Sequence, residues 1–177
     1  MSQSDKNNAE LIKAVLKGDL TSFGCLYERH YAMVLGLARS RVGDLHLAED
    51  AAQEAFAIAY RTLSSLNDHS RFKQWLGTIC RRCASKVAES RLDIWSISSE
   101  HEPACDPSQQ ALREHVREVI NRLDETAREL VMLHYFSGLS YQEIAEIVEL
   151  SPQAIHGRLQ RIRRELREFF QIEESKE

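Results

Sequence analysis

Residues 139–166 read LSYQEIAEIVELSPQAIHGRLQRIRREL, and this stretch decides the fold. Ser140 and Glu143 have the spacing of a capping box, which predicts a helix beginning at Tyr141. Ile144, Ala145 and Val148 give that helix one apolar stripe. A second start follows at once, with Ser151 as N-cap and Pro152 at the first helical position, where its missing N–H costs nothing. Two helices so close in sequence must cross steeply, and small Ala145 lets them approach. The reading is a helix-turn-helix.

The second helix indicates what the motif is for. Ile155, Leu159, Ile162, Leu166 and Phe169 share one arc, the face expected to be buried. Gln153, His156, Gly157, Gln160, Arg161, Arg163, Arg164 and Arg167 cover the other. From His156 to Arg167 five arginines stand against one glutamate, Glu165, in a chain of formal net charge −4. Arg and Gln on an exposed helix bond phosphates and base edges in the major groove. A solvated amphipathic helix is the alternative; the two start signals upstream favour DNA.

Working outward, the 177 residues suit one domain or two small ones, and only 7 glycines and 3 prolines argue for an all-α chain. No apolar run suggests a signal peptide or membrane span. Cys25, Cys80, Cys83 and Cys105 lack a disulfide-framework pattern, so a reduced, cytoplasmic setting is the simpler reading. With so mild an acidity, any DNA contact must come from local basic patches.

Residues 1–8 read as a frayed, polar start. Leu11, Ile12, Val15 and Leu16 predict a short helix ending at Gly18. Asp19 caps a second (Phe23, Leu26, Tyr27, Tyr31, Val34, Leu35, Ala38) that stops near Gly43, and Asp44 caps a third reaching about Leu63. On that third helix Ala48, Ala51, Ala52, Ala55, Phe56, Ala59 and Leu63 form a close-packing face. Glu49, Asp50, Gln53 and Glu54 gather opposite; composition alone favours solubility, with docking of a basic partner helix as the alternative.

After a break at Asn67–Ser70, a fourth helix carries the stripe Phe72, Trp75, Leu76, Ile79, Cys83, Val87. Arg71, Lys73, Arg81, Arg82, Lys86 and Arg91 make it the second basic concentration of the chain. Aromatics beside Arg and Lys suit a strand with unstacked bases, although Phe72 and Trp75 read more readily as core. Cys80-Arg81-Arg82-Cys83 lacks a second ligand pair and is read as two core cysteines, with no metal site. From Asp93 the helical period lapses, and residues 93–107 read as a flexible linker able to span up to about 50 Å. Helicity resumes with Leu112, Val116, Val119, Ile120 and Leu123; Asp124 caps another helix ending around Gly138. The expectation is two small helical domains, 1–92 and 108–177, the second containing the helix-turn-helix.

Two motifs now carry a resemblance. Ala48-Glu49-Asp50-Ala51-Ala52-Gln53-Glu54-Ala55-Phe56, then Phe72-x-x-Trp75-Leu76-x-x-Ile79, resembles region two of extracytoplasmic-function (ECF) sigma factors. Leu123-Asp124-x-x-x-Arg128, then Gly138-Leu139-Ser140-Tyr141-x-Glu143-Ile144-Ala145 and Ser151 with Arg158-Leu159, resembles their region four. The likeness runs from about Leu11 to Phe170. It implies a bacterial initiation subunit, without catalytic residues or cofactor, that joins core RNA polymerase to promoter DNA. Glu49, Asp50, Gln53 and Glu54 would then dock on the clamp coiled coil of the largest polymerase subunit, reversing the preference from composition. Phe72, Trp75, Arg81, Arg82 and Lys86 would engage the melted minus-ten element. Ser151, Gln153, His156, Arg158, Arg161 and Arg164 would engage the minus-thirty-five element. An anti-sigma factor covering both kinds of face is the further partner implied.

The chain departs from the family pattern in places. Arg82 and Lys86 stand where many members have Asn and Asp; Glu149 replaces the turn glycine; Gln153-Ala154-Ile155-His156-Gly157 replaces Gly-Thr-Val-Lys-Ser. These changes bear on promoter sequence more than on overall role. Two other readings compete: a stand-alone helix-turn-helix regulator with an N-terminal effector or dimerisation domain, and a helical metal or redox sensor using Cys80 and Cys83.

Overall fold

The computed structural model describes residues 3–92, 120 and 122–174. Among these it contains seven α-helices and no strand. They are α1 (Gln3–Leu16), α2 (Leu20–Val42), α3 (Leu45–Thr62), α4 (Phe72–Leu92), α5 (Glu125–Val131), α6 (Tyr141–Val148) and α7 (Pro152–Glu174). The all-α expectation holds.

Local chemistry sets most of the boundaries. Asp19 accepts the Thr21 N–H at 3.0 Å, and Asp44 accepts that of Leu47 at 3.0 Å, so α2 and α3 each begin on a carboxylate cap. Between them Gly43 adopts φ 71°, and its N–H closes on the Arg39 carbonyl. Asp124 caps α5 through the Ala127 N–H at 2.8 Å. Two details differ from the sequence reading. Helix α1 begins at Gln3, where a frayed start was expected, and α5 gives way at Met132–Phe136 to a wider π-type turn. In that turn the Ser137 N–H reaches back five residues to the Met132 carbonyl.

Helices α1–α4 pack around Ile12, Leu26, Val34, Leu37, Phe56, Leu63, Phe72 and Leu76, with Ala48, Ala51, Ala52, Ala55 and Ala59 of α3 enclosed as their spacing predicted. In the C-terminal half Leu130, Leu133, Ile144, Ile147, Ile155, Leu159 and Ile162 close a smaller core. The two halves touch: α5 lies on α2 and α6 lies on α4. The proposed linker and the helix expected from Ser108 to Leu123 fall almost wholly outside the described residues.

Candidate nucleic-acid interface

The helix-turn-helix forms as its residues dictate. Ser140 Oγ accepts the Glu143 N–H at 3.3 Å while Glu143 Oε2 accepts the Ser140 N–H at 2.9 Å, completing the capping box. The Ser140 N–H and the Ser140 hydroxyl, both donating to the charged Glu143 carboxylate, hold its acid below its ordinary range. Ser151 Oγ accepts the Ala154 N–H at 3.1 Å, and α7 starts at Pro152. Glu149, in the turn, takes the left-handed conformation with φ 57° and ψ 36°.

Ile155, Leu159 and Ile162 turn inward; the side chains of Leu166 and Phe169 lie outside the described residues. Ser151, Gln153, His156, Arg161 and Arg164 are exposed, in a row along the outer side of α7. Arg161 is held by Glu165 at 2.9 Å, one turn on. Arg163, half-buried, donates to the Tyr141 hydroxyl at 3.0 Å and so ties the second helix of the motif to the first. Arg158 is exposed but faces the other way, lining a cleft of about 420 Å³ with Gln74, Arg81, Glu129 and Glu149.

On α4, Arg82 and Lys86 are exposed one turn apart and make a second, smaller cationic face. Phe72 is completely enclosed, its ring 5.3 Å from that of His30 and 6.0 Å from that of Trp75, and offers no face to a base. It belongs to the core, the alternative that its position in the stripe had left open, and half-buried Trp75 packs beside it. Arg81 points at the other half of the chain. Its Nε donates to both Glu129 carboxylate oxygens at 3.2 Å, and Nη2 donates to Oε1 at 2.5 Å. Burial works against the Arg81 charge, but the Glu129 carboxylate outweighs it and holds the guanidinium above its ordinary value.

On α3, Asp50, Gln53 and Glu54 are exposed and Glu49 is half-exposed, so the acidic stripe faces solvent on the side away from the alanine contacts. Arg61 reaches Glu54 at 3.2 Å and His46 lies 3.9 Å from Glu49, both weak surface pairs. The paired cysteines are interior: Cys80 Sγ donates to the Val34 carbonyl at 3.2 Å. Burial, with Cys83 adding to it, pushes the Cys80 thiol up to about 12. A thiol so held supplies little thiolate for metal or redox chemistry.

Sequence reasoning missed the acidic counterparts Glu129 and Glu146. Each sits on a helix whose local pattern explains only its own apolar face, and the cations they meet lie 48 and 73 positions away. No spacing rule reaches that far.

Comparison with known proteins adds the following. Residues 26–89 match the family model for sigma-70 region 2, and residues 113–166 match that for sigma-70 region 4. The chain is 32% identical to the ECF RNA polymerase sigma-E factor of Escherichia coli K12 over 172 residues, covering 86% of this chain and 88% of that one. It is 29% identical to the RNA polymerase sigma-H factor of Pseudomonas aeruginosa over 177 residues, covering 90% and 92%. Among solved structures, that of CnrH in complex with the cytosolic domain of CnrY superposes with a TM-score of 0.67 at 22% identity, covering 94% of this chain and 98% of CnrH. That last likeness concerns the fold.

Proposed function

The chain belongs to the ECF sigma factors of the sigma-70 family, and from that premise we propose how its faces divide the work. As a member it binds core RNA polymerase and directs promoter-specific transcription initiation. The observation that carries this is the pairing, in one chain and in order, of region two with region four. A stand-alone helix-turn-helix regulator would leave the first of these without a role.

Residues 1–92 form the region-two domain, residues 108–177 the region-four domain, and 93–107 the tether. The exposed stripe of Glu49, Asp50, Gln53 and Glu54 docks on a basic element of the polymerase. Trp75, Arg82 and Lys86 face the opened minus-ten strand, and Arg81 joins them only where it is released from Glu129. Ser151, Gln153, His156, Arg161 and Arg164 follow the minus-thirty-five duplex, with α7 in the major groove, and Arg158 joins them only where it swings out of the cleft. The protein is an initiation factor, and no step of bond chemistry is assigned to it. It acts in the cytoplasm, where polymerase and promoters are. CnrH is described in complex with the cytosolic domain of CnrY, which supports extending the reading to an anti-sigma partner that covers these faces.

Two modest DNA contacts and a polymerase contact on one tether gain from effective concentration, so each stays weak enough to release during promoter escape. The test is reconstituted transcription with core polymerase. Reversing Glu49, Asp50 and Glu54 to Lys is expected to reduce promoter-directed RNA about tenfold or more, since like charges meet across the dock. These are surface positions, so the melting temperature should move by no more than about 2 °C. Undiminished promoter-directed synthesis by the reversed variant would sink the assignment of that stripe.

A further inference from the structure

The exposed row of α7 is uneven in the permanence of its charge. Arg161 and Arg164 are cations throughout the physiological range, and Ser151 and Gln153 are neutral throughout it. His156, exposed in the second turn, is the member whose residue type gains or loses its charge between about pH 5 and 8. The first turns of the second helix are the part of such a motif that enters the major groove. A conditional cation thus stands where phosphates and base edges are met.

Its surroundings hold the ring without using up its nitrogens. The His156 ring lies 5.4 Å from that of Tyr141 on α6, with the planes 58° apart. Tyr141 is fixed in turn: its hydroxyl accepts from Arg163 at 3.0 Å, and its ring lies 4.9 Å from that of His134. His134 Nδ1 bonds the Leu139 carbonyl at 2.9 Å, and a carbonyl only accepts, so that nitrogen carries a hydrogen. Three rings therefore run from the π-type turn across α6 to α7. Among the described residues His156 makes no hydrogen bond or ion pair, which leaves both ring nitrogens to a ligand.

The carboxylates of the motif are engaged elsewhere: Glu143 with Ser140, Glu146 with Lys73, Glu149 with Arg71 and Glu165 with Arg161. The positions one turn away on α7 are Pro152, Gln153, Leu159 and Gln160, which carry no charge. Arg163, seven residues on, turns its guanidinium to Tyr141, and Arg158 faces the cleft. The negative charge that a protonated His156 calls for has to come from outside the chain.

We propose that His156 is a proton-dependent phosphate contact: charged, its imidazolium rests on Tyr141 and donates to the backbone of the minus-thirty-five duplex. Tyr141 is its positioning residue, since a ring held against α6 keeps its free edge toward the groove. The duplex is then bound with uptake of a proton, more tightly in mildly acid than in mildly alkaline solution. A lysine at this position would make the same contact without the dependence on pH. The inference deepens the proposed duplex role of α7 and rests on it.

Holoenzyme assembled from core polymerase and the full chain tests it, on a fluorescent duplex from a promoter whose transcript that holoenzyme starts. Comparing wild type with His156→Gln cancels whatever the polymerase itself titrates. Their affinity ratio should rise about tenfold as the pH falls from about 8 to 6, the worth of one charge-assisted bond. The ratio of His156→Lys to His156→Gln should stay level over the same range. At the acid end, log affinity should fall with log salt more steeply for wild type than for His156→Gln, by about 0.9, the release of one counterion. Tyr141→Leu should shrink the acid gain, and Tyr141→Phe, which keeps the ring, should preserve it. A wild-type to His156→Gln ratio that stays level with pH, or matching salt slopes at the acid end, overturns the phosphate contact. An acid gain untouched by Tyr141→Leu overturns the positioning role. Promoter-directed RNA synthesis by the wild-type holoenzyme judges the sigma-factor reading separately.

Discussion

Glu149 occupies a left-handed backbone position that costs a non-glycine residue about 1 kcal/mol, because its Cβ crowds the following carbonyl. Its carboxylate meets Arg71, but both side chains are largely exposed, at 72% and 60%, and such a pair is worth at most about 1 kcal/mol. Strain thus equals or exceeds the gain. Glu149→Gly is expected to raise stability against denaturant by about 0.5 kcal/mol, while loosening the contact between the halves. A loss of stability of more than about 1 kcal/mol would show that the Arg71 pair matters more than its exposure suggests. The sequence already marked position 149 as the turn and noted the absent glycine. It gave no sign of Arg71, which lies 78 residues earlier, in the short 3-10 turn that leads into α4. Phe72 taught the converse lesson: residue type suited a base platform, but its place in the apolar stripe decided that it is core.

At the level of the helix, boundaries set by a cap were legible because the chemistry spans three residues. Asp19, Asp44, Asp124, Ser140 and Ser151 each cap the helix assigned to them. The wide turn at Met132–Phe136 was not legible, since it arises where α5 meets α2 and the Ser137 hydroxyl finds the Ala32 carbonyl 105 positions away. Helix α6 has only 8 residues, too few to persist without its cap. Ser140→Ala should therefore cost about 1 kcal/mol, read as a lower denaturation midpoint. The Glu143 half of the box adds a pH dependence of known sign. Its acid is held below its ordinary value of 4.5 in the folded chain, so its stabilisation is present above that value and fades as the pH falls below it toward the folded one. Glu143→Gln should flatten that part of the acid titration curve; an unchanged curve would assign the effect to other carboxylates.

For the molecule as a whole, two helical units and their order could be read from hydrophobic period and caps, whereas their docking could not. The ion pairs that join them span 48 positions or more and follow no local period. That seam is polar and edged by the cleft beside Arg81. It is far weaker as a bond between separate chains than within one, because joining two bodies costs translational and rotational freedom that a tether has already removed. The tether proposed at residues 93–107 should therefore be indispensable to function. A protease site placed within residues 93–107 provides the comparison. Intact, the variant should support promoter-directed synthesis like the wild type. Once cleaved, with both halves present at submicromolar concentration, it should lose on the order of a hundredfold, the factor that effective concentration supplies to a second contact. Adding the C-terminal half to millimolar levels should recover part of that loss, since concentration then replaces connection. Equal synthesis before and after cleavage at submicromolar concentration would mean that the halves bind polymerase independently, and the argument from effective concentration would fail.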